Sequence, residues 1–213
     1  MKATLLHVDC MDYMAALPDN AFDLAIVDPP YGIGDFSMEG HSGKQRMKSE
    51  FHGSYGWNKV IPDQNYFIEL ARVSKNRIIW GANYYNCFGE NGGAIVWYKN
   101  MGHRDLSQCE IASCSVKKIV NYVHIDWQSG FHRAKFGPVI HPCQKPVKLY
   151  EWLLTNYAKP GQRILDTHLG SGSSAIACNN LGFEMVGCEL DEDYYRAACA
   201  RVEQATKQER LFA

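Results

Sequence analysis

The sequence predicts an α/β domain in which a mostly parallel β-sheet carries helices on both faces. Strand-like and helix-like segments alternate along most of the 213 residues, which is the pattern of parallel sheets with crossover helices. The strand-like segments are short continuous apolar runs, as expected for strands buried on both sides. The length fits a single domain covering residues 1–213, without internal repeats. We therefore expect one core that serves every site of the chain.

The first half of the chain alternates strands with helices. We predict strand, helix, strand, helix, strand and strand at residues 4–8, 11–17, 22–27, 63–74, 76–80 and 94–97. The helix at 63–74 has apolar residues at helical spacing, and Asp63 is placed to cap it. The stretch 32–60 shows neither pattern and is too long for an ordinary connection. It predicts a functional loop or lid.

The second half repeats the alternation. Residues 108–125 alternate only partly between apolar and polar, and there we expect antiparallel strands. The remaining elements are a helix, a strand, a helix, a strand and a last helix, at residues 146–157, 163–166, 173–181, 184–189 and from 191 onward. Pro146 is expected at the first position of its helix, where the missing N–H is not needed.

Composition excludes several classes of protein. The longest apolar runs, such as 22–27, are far too short to cross a bilayer, and the N-terminus does not read as a signal peptide. We expect a cytoplasmic protein without a membrane partner. The eight cysteines are scattered and form no C-x-x-C pair, which favours reduced thiols over a zinc site. No metal is expected.

Basic residues are concentrated in two segments, although the net charge is only −1. Residues 116–148 contain six Lys or Arg against one acid, and residues 40–59 contain four against one. Two basic segments on an otherwise acidic body are typical of a polyanion-binding protein. Ordinary solvated loops would have the same composition, so charge alone leaves both interpretations open.

A glycine loop follows the predicted strand 163–166. Residues 164–174 read ILDTHLGSGSS and lead into a helix, so the backbone can approach a ligand closely and turn sharply. The next strand ends at Glu189, where a carboxylate can bind the ribose hydroxyls of an adenosine-type cofactor. Ala175 stands where the dinucleotide fingerprint has its third glycine.

The second constellation is Asp28-Pro29-Pro30-Tyr31, directly after the apolar run FDLAIV. An exocyclic amine of adenine or cytosine is a weak nucleophile because its lone pair is delocalised into the ring. The Asp28 carboxylate and the Pro29 carbonyl can each accept one of its hydrogens, while the two prolines fix the backbone. Tyr31 offers a flat face to an unstacked base. The alternative is a strand that ends in a tight turn, where Asp and Pro are common.

Three segments resemble the family of amino-methyltransferases that act on adenine N6 or cytosine N4. Residues 7–31 resemble its N-terminal block, 141–154 (HPCQKPVKLYEWLL) its HPTQKP helix, and 164–195 its cofactor block. The tetrapeptide comes first and the glycine loop last, which is the permuted, beta-type order. The glutamine-modifying relatives place the glycine loop upstream. The resemblance implies a Rossmann-like, S-adenosylmethionine-dependent methyltransferase fold, with target recognition between the two motifs.

The resemblance also implies the cofactor site. Asp9 would accept from the cofactor adenine beside Cys10, Glu189 would hold the ribose, and Asp166 would face the methionine part. The whole expected set is Asp9, Cys10, Asp28, Lys145, Asp166, His168, Gly170, Ser171, Gly172, Ser173 and Glu189. The chain departs from D-P-F-x-G-S-G-T and HPTQKP at Thr167, His168, Ser173 and Cys143. We interpret His168 as a packing substitute for the usual aromatic residue.

The expected reaction is direct transfer of the sulfonium methyl of S-adenosylmethionine to adenine N6 of a flipped-out DNA base. Asp at the head of the tetrapeptide favours adenine in this family, with cytosine N4 as the alternative. An inactive DNA- or cofactor-binding relative and an RNA substrate also remain open. The residues expected to contact DNA lie in the loop 32–60 and in a short recognition segment 115–137, and are Lys44, Arg46, Lys48, Lys117, Lys118, Arg133 and Lys135. Trp127 and Phe131 fit either that segment or the core. A second subunit and a cognate restriction nuclease are the further partners considered.

Overall fold

The computed structural model describes residues 2–34, 57–89, 92–100, 107–126 and 139–212. The strands, β1 to β8 in chain order, are Ala3–His7, Phe22–Val27, Ser74–Trp80, Ala94–Tyr98, Cys109–Cys114, Val120–His124, Arg163–Asp166 and Glu184–Glu189. The helices, α1 to α6, are Cys10–Ala15, Gln64–Val73, Ala82–Tyr85, Val147–Tyr157, Ser173–Leu181 and Glu192–Phe212. A short 3-10 turn occupies Trp57–Lys59.

The eight strands form one sheet in the order β1-β8-β7-β2-β3-β5-β4-β6. Seven strands point the same way, and β5 runs against both of its neighbours, β3 and β4. The predicted mostly parallel α/β sheet is confirmed.

Helices cover both faces of this sheet, and the central strand β2 shows why residues 24–27 are all apolar. Leu24 and Ile26 enter the core beneath α4, α5 and α6. Ala25 and Val27 enter the opposite core, beneath α1 and α2. Because successive side chains of a strand point to opposite faces, a segment that is covered on both sides is apolar at successive positions.

Side chains and glycines fix the helix ends close to the predicted positions. Asp63 caps α2 by accepting from the Tyr66 backbone N–H at 3.1 Å, as predicted. Asp191, predicted as the first residue of the last helix, instead caps it by accepting from the N–H groups of Asp193 and Tyr194. Pro146 likewise precedes its helix as the cap residue, so its predicted place one position further on is wrong.

The prediction of antiparallel strands in 108–125 is right for β5 and wrong for β6. The β5 strand ends at Cys114, close to Ala94, which is the first residue of β4. One side of β4 is already occupied by β5, so the returning chain pairs with the free side, where Ala94 lies beside Val120. It therefore runs parallel to β4.

No helix in the described ranges is both long enough and apolar enough to cross a membrane. The longest, α6, has 21 residues and carries charged side chains throughout. Of the predicted loop 32–60, residues 35–56 lie outside the described residues.

Candidate active site

The two sequence motifs meet where the connections of the sheet change direction. Strands β2 and β7 are neighbours, with Ala25 beside Leu165. The chain leaves β2 towards a helix on one face and leaves β7 towards a helix on the other. The crevice outside the carboxyl ends of such strands is where open α/β sheets bind ligands. Asp28 follows β2 and Asp166 ends β7, so the predicted catalytic and cofactor carboxylates lie at the same crevice.

The glycine loop has a backbone that glycine alone accommodates easily. Gly170 and Gly172 have φ of 52° and 73°, in the left-handed region. A Cβ on Gly172 would also lie 2.9 Å from a methyl carbon of Val202 on α6. At Gly170 the same position would be 3.7 Å from the ring of His141, which belongs to the HPCQKP segment. The loop is thus enclosed by α6 and by the third sequence motif.

Glu189 and Asp9 are held by backbone donors. Glu189 accepts from the N–H of Gly170 at 2.8 Å and from that of Asp191 at 3.0 Å. Burial raises the pKa of Glu189, and the two backbone donors work against that rise. Asp9 caps α1 by accepting from the Met11 N–H at 2.7 Å. The structure therefore places both predicted acids at neighbouring strand ends, since β1 pairs with β8.

Asp166 is buried and His168 is half-buried, and loss of solvent changes the pKa of both. Asp166 accepts from the Ser174 hydroxyl at 2.6 Å and from the His168 N–H at 3.1 Å. Burial nevertheless raises the pKa of Asp166 to about 7. Burial lowers the pKa of His168 to about 4, so the ring is neutral, and it packs edge-on against Tyr66 with centroids 5.4 Å apart. A neutral ring in an aromatic contact agrees with a packing role.

The other predicted residues of the cofactor loop have partners within the chain. The Ser171 and Ser173 hydroxyls lie 3.2 Å apart. Arg201 of α6 donates to the Ser171 carbonyl at 2.6 Å and to the Ser173 hydroxyl at 3.0 Å. Cys10 is half-buried, and burial raises the pKa of its thiol to about 12, which keeps it protonated.

Asp28 lies between two donors. The Tyr31 hydroxyl donates to Asp28 Oδ1 at 2.6 Å. The ammonium of Lys145 donates to Asp28 Oδ2 and to the Tyr31 hydroxyl oxygen, the latter at 3.1 Å. Burial raises the pKa of Asp28, and Lys145 opposes that rise. The structure thus joins the predicted catalytic tetrapeptide to Lys145 of the HPCQKP segment.

Two residues that sequence reasoning missed hold the tetrapeptide in place. Asn58 accepts from the Tyr31 N–H at 2.9 Å and donates to the carbonyl of Gly34 at 2.9 Å. The Tyr85 hydroxyl lies 2.5 Å from the Pro29 carbonyl oxygen and 2.8 Å from that of Pro30. One of the two acceptor positions on the Pro29 oxygen is therefore already in use.

Tyr84 covers part of the ring expected to receive a base. The Tyr31 and Tyr84 rings are stacked, with centroids 4.9 Å apart and planes 17° from parallel. Gly81, at the end of β3, allows this arrangement, because a Cβ there would lie 2.4 Å from the Tyr31 ring. No spacing in the sequence pointed to Tyr84, since it lies 53 positions after Tyr31.

A buried charge cluster completes the site. Glu110 of β5 lies 3.1 Å from the Lys145 ammonium and accepts from Lys99 at 3.0 Å. The side chains of Lys145 and Lys99 are 4% and 11% exposed. Sequence analysis missed Glu110 and Lys99. The available signal was one acid in the otherwise uncharged strand CEIASC. In the described part of the chain, no group of three or more His, Cys, Asp or Glu could hold a metal ion.

The basic residues expected to bind DNA are mostly outside the described residues, namely Lys44, Arg46, Lys48, Arg133 and Lys135. Lys117 and Lys118 lie in the turn between β5 and β6. Because β5 is antiparallel to β3, this turn is at the opposite end of the sheet from Asp28. Lys117 packs over the ring of Tyr157, 4.7 Å from its centroid. The DNA contact expected of these two lysines stays a prediction.

Comparison with known proteins identifies the family. The model of a family described as DNA methylase, N6/N4 type, matches residues 96–200. Residues 96–200 therefore belong to this family. The chain is 26% identical over 212 residues to the putative methylase YubD of Escherichia coli K12, covering 91% of this chain and 87% of YubD. It is 23% identical over 246 residues to the type II methyltransferase M2.DpnII of Streptococcus pneumoniae, covering 95% and 90%.

Solved structures of DNA methyltransferases share the fold. The M1.HpyAVI–SAM complex superposes with a TM-score of 0.56 at 22% identity, covering 93% of this chain and 99% of that one. The cytosine-N4-specific PvuII DNA methyltransferase gives a TM-score of 0.61 at 14% identity, covering 97% and 91%. The predicted membership of the amino-methyltransferase family and the methyltransferase fold are both confirmed.

Proposed function

We propose that this DNA methylase family member transfers a methyl group from S-adenosylmethionine to adenine N6 of a flipped-out DNA base. The observation that carries the proposal is the position of Asp28, which lies at the crevice it shares with Asp166 and the glycine loop. A methyl donor and an amine acceptor have to meet within bonding distance. Strands β2 and β7 end side by side, so Asp28 is placed to serve the amine acceptor and Asp166 the methyl donor.

The residues around the glycine loop fit an adenosine-type cofactor. A carboxylate has about four acceptor positions, so Glu189 can still bind ribose hydroxyls after its two backbone contacts. Asp9 receives one backbone N–H and keeps acceptor capacity for an adenine amine. When bound, S-adenosylmethionine supplies a methyl group activated by its positive sulfur. The Asp166 carboxyl, which ionises near pH 7, would favour such a cation in its ionised form. M1.HpyAVI, which shares the fold, was solved as a SAM complex.

The chain's own residues prepare the amine. Asp28 and the Pro29 carbonyl each accept one amine hydrogen, which directs the nitrogen lone pair towards the methyl group. Once it carries the methyl group, the nitrogen loses one of these protons, which gives the neutral methylated base. Tyr85 fixes the Pro29 carbonyl and Asn58 fixes the Tyr31 backbone. Tyr31 stacks on the base, where stacking contributes roughly 1–3 kcal/mol. For that face to open, Tyr84 has to move, because rings 4.9 Å apart leave no room for a third ring between them.

Adenine is the proposed base because Asp stands at the head of the tetrapeptide, which favours adenine in the family. Cytosine N4 is the second candidate, since the PvuII enzyme that shares the fold is cytosine-N4-specific. Incubation with labelled S-adenosylmethionine and DNA, followed by digestion to nucleosides, tests the choice. N6-methyl-2′-deoxyadenosine supports the proposal. N4-methyl-2′-deoxycytidine contradicts the base assignment and leaves the chemistry intact.

Two further outcomes of that labelling assay would decide between the remaining alternatives. Label in RNA and not in DNA would replace the substrate class. Retention of cofactor without label in any nucleic acid would show a binding relative that has lost catalysis.

The DNA contacts proposed for the loop 32–60 and the segment 115–137 predict that the affinity of the protein for DNA falls as the salt concentration rises. A homodimer, a cognate nuclease and a cytoplasmic location remain proposals.

A further inference from the structure

The ammonium of Lys145 uses all three of its donors within the site. It contacts Asp28 Oδ2, the Tyr31 hydroxyl at 3.1 Å and Glu110 Oε2 at 3.1 Å. An ammonium has three donors and no acceptor, so these partners fix its nitrogen from three directions. Asp28 and Tyr31 lie in the turn after β2, and Glu110 lies in β5. Lys145 therefore cannot approach Asp28 more closely or withdraw from it without changing its contact with Glu110.

Glu110 is itself divided between two cations. Its Oε1 accepts from Lys99 at 3.0 Å and its Oε2 faces Lys145. Burial works against its ionised form, but Lys145 and Lys99 together lower the pKa of Glu110 below its usual value. The same two carboxylates keep Lys145 charged, since Asp28 and Glu110 raise its pKa although burial opposes this. The cluster of Asp28, Lys145, Glu110 and Lys99 thus carries two charges of each sign and is neutral as a whole, which is the condition for burying ions at tolerable cost.

Glu110 also contacts the second donor on Asp28. The Tyr31 hydroxyl, which donates to Asp28 Oδ1 at 2.6 Å, lies 3.4 Å from Glu110 Oε2. Both groups that hold the Asp28 carboxylate therefore touch the same glutamate.

We propose, on the basis of the proposed function, that Glu110 is a positioning residue for the methyl transfer. It holds Lys145 and the Tyr31 hydroxyl on Asp28 and takes up part of the Lys145 charge, so that Asp28 remains a strong acceptor for the target amine. Without Glu110, the whole charge of Lys145 acts on Asp28 and weakens its attraction for an amine hydrogen. Without Lys99, Glu110 attracts the Lys145 ammonium more strongly, so Lys145 neutralises less of the Asp28 charge. The two losses have opposite effects on Asp28.

Glu110→Gln and Lys99→Met test this opposition. Glu110→Gln keeps the side-chain size, and we expect single-turnover methylation about tenfold to a hundredfold slower from the displaced carboxylate, with cofactor affinity unchanged. Glu110 raises the pKa of Asp28, so its loss moves the acid limb of the rate profile to lower pH. Lys99→Met moves the limb to higher pH. Glu184→Gln is the matched control, because Glu184 is an exposed strand glutamate paired only loosely with Arg163, at 3.7 Å.

The carboxyl titration of Asp28 gives a readout that does not depend on activity. In enzyme carrying ¹³C-labelled aspartate, the Asp28 signal is assigned from Asp28→Asn and the Asp166 signal from Asp166→Asn. Other titratable groups near Asp28 are Tyr31, Tyr66, Tyr85, Cys143, Lys145, Tyr150 and Asp166. Of these only Asp166, with its pKa near 7, changes charge between pH 4 and 8, which is why it is assigned separately.

Opposite displacements of the Asp28 midpoint in the two variants support the proposal. Displacements in the same direction, no displacement, or wild-type methylation by Glu110→Gln would overturn it. If Glu110→Gln fails to fold, the double variant with Lys99→Met removes one charge of each sign, and the Asp28 midpoint should still fall. If the wild-type enzyme methylates no nucleic acid, the proposed function fails, while the titration still decides whether Glu110 controls Asp28.

Discussion

The Tyr85 hydroxyl lies 2.5 Å from the Pro29 carbonyl oxygen, the atom expected to accept one hydrogen of the target amine. The same hydroxyl lies 2.8 Å from the carbonyl oxygen of Pro30. It could compete with the amine or fix the carbonyl in the direction that the amine needs. A carbonyl oxygen has two lone pairs, and two prolines already restrict the backbone, so the contact is best understood as fixing the carbonyl.

Tyr85→Phe is therefore expected to slow methyl transfer and not to accelerate it. One neutral hydrogen bond contributes about 1 kcal/mol, so the expected loss is roughly fivefold in the single-turnover rate. Cofactor affinity, measured by calorimetry, should not change. Tyr13→Phe is the control, because Tyr13 lies on α1, outside the expected site residues and outside both segments proposed to contact DNA. A faster Tyr85→Phe enzyme would mean that the hydroxyl competes with the substrate.

Asp28→Asn should greatly slow formation of the methylated product while sparing cofactor binding. The amide keeps the shape of the side chain but replaces one acceptor oxygen with a donor that repels the amine hydrogen. The expected fall in rate is on the order of 10²–10³-fold, as for loss of one preorganised polar contact in a transition state. Lys145 keeps Glu110 as an ionic partner at 3.1 Å, so the variant should fold. The measurement is methyl incorporation into DNA beside cofactor binding.

The matched control for this substitution is Asp23→Asn, which alters an aspartate inside β2, the strand that leads to Asp28, away from the site. Asp23 pairs with Lys75 at 2.7 Å near the beginning of β3. Wild-type activity of Asp28→Asn would refute the role assigned to the carboxylate. Equal loss in both variants would point to damage of the strand itself.

The sequence predicted those parts of the site whose signals lie within a few residues of one another. Predicted strands lead into the tetrapeptide and the loop 170–172, and Glu189 ends a third predicted strand. Parallel strands bring their carboxyl ends together. Asn58, Tyr85 and Glu110 were missed because they reach Tyr31 or Pro29 from 27, 56 and 79 positions away. Those contacts depend on the register of β3 and β5, which the local pattern does not determine. The direction of β6 was missed for the same reason.

Gly172→Ala should destabilise the protein more than Gly182→Ala. Both glycines have φ near +75°, so alanine costs about 1 kcal/mol of backbone strain at either position. At Gly182 the added Cβ meets only the end of the Lys2 side chain, at 3.9 Å. At Gly172 it would lie 2.9 Å from a Val202 methyl, which adds a packing cost of roughly 1–3 kcal/mol. Urea denaturation of both variants measures the difference.

Val202→Ala provides the check on that explanation. In this background Gly172→Ala should retain only the backbone cost, so its effect should approach that of Gly182→Ala. An unchanged effect of Gly172→Ala in the Val202→Ala background would assign the whole cost to the backbone.

Asp166 should make the folded protein less stable as the pH rises from about 4 to 7. Burial raises its pKa to about 7, from an ordinary value of 3.8. Between these values the folded state keeps a proton that the unfolded chain has released, so the free energy of unfolding falls with rising pH and levels off above 7. At about 1.4 kcal/mol for each unit of pKa, the full effect is on the order of 4 kcal/mol. Asp166→Asn removes it.

Urea denaturation of wild type and Asp166→Asn at several pH values between 4.5 and 7.5 measures this effect. The difference in unfolding free energy between the two should move in favour of Asp166→Asn as the pH rises. Asp23→Asn is the control of opposite sign, because Lys75 lowers the pKa of Asp23 and its contribution is lost as the pH falls. A difference between wild type and Asp166→Asn that stays constant across this range would show that Asp166 is ionised throughout in the folded protein. Its carboxylate would then present a full negative charge to a bound sulfonium even at the acid end of the range.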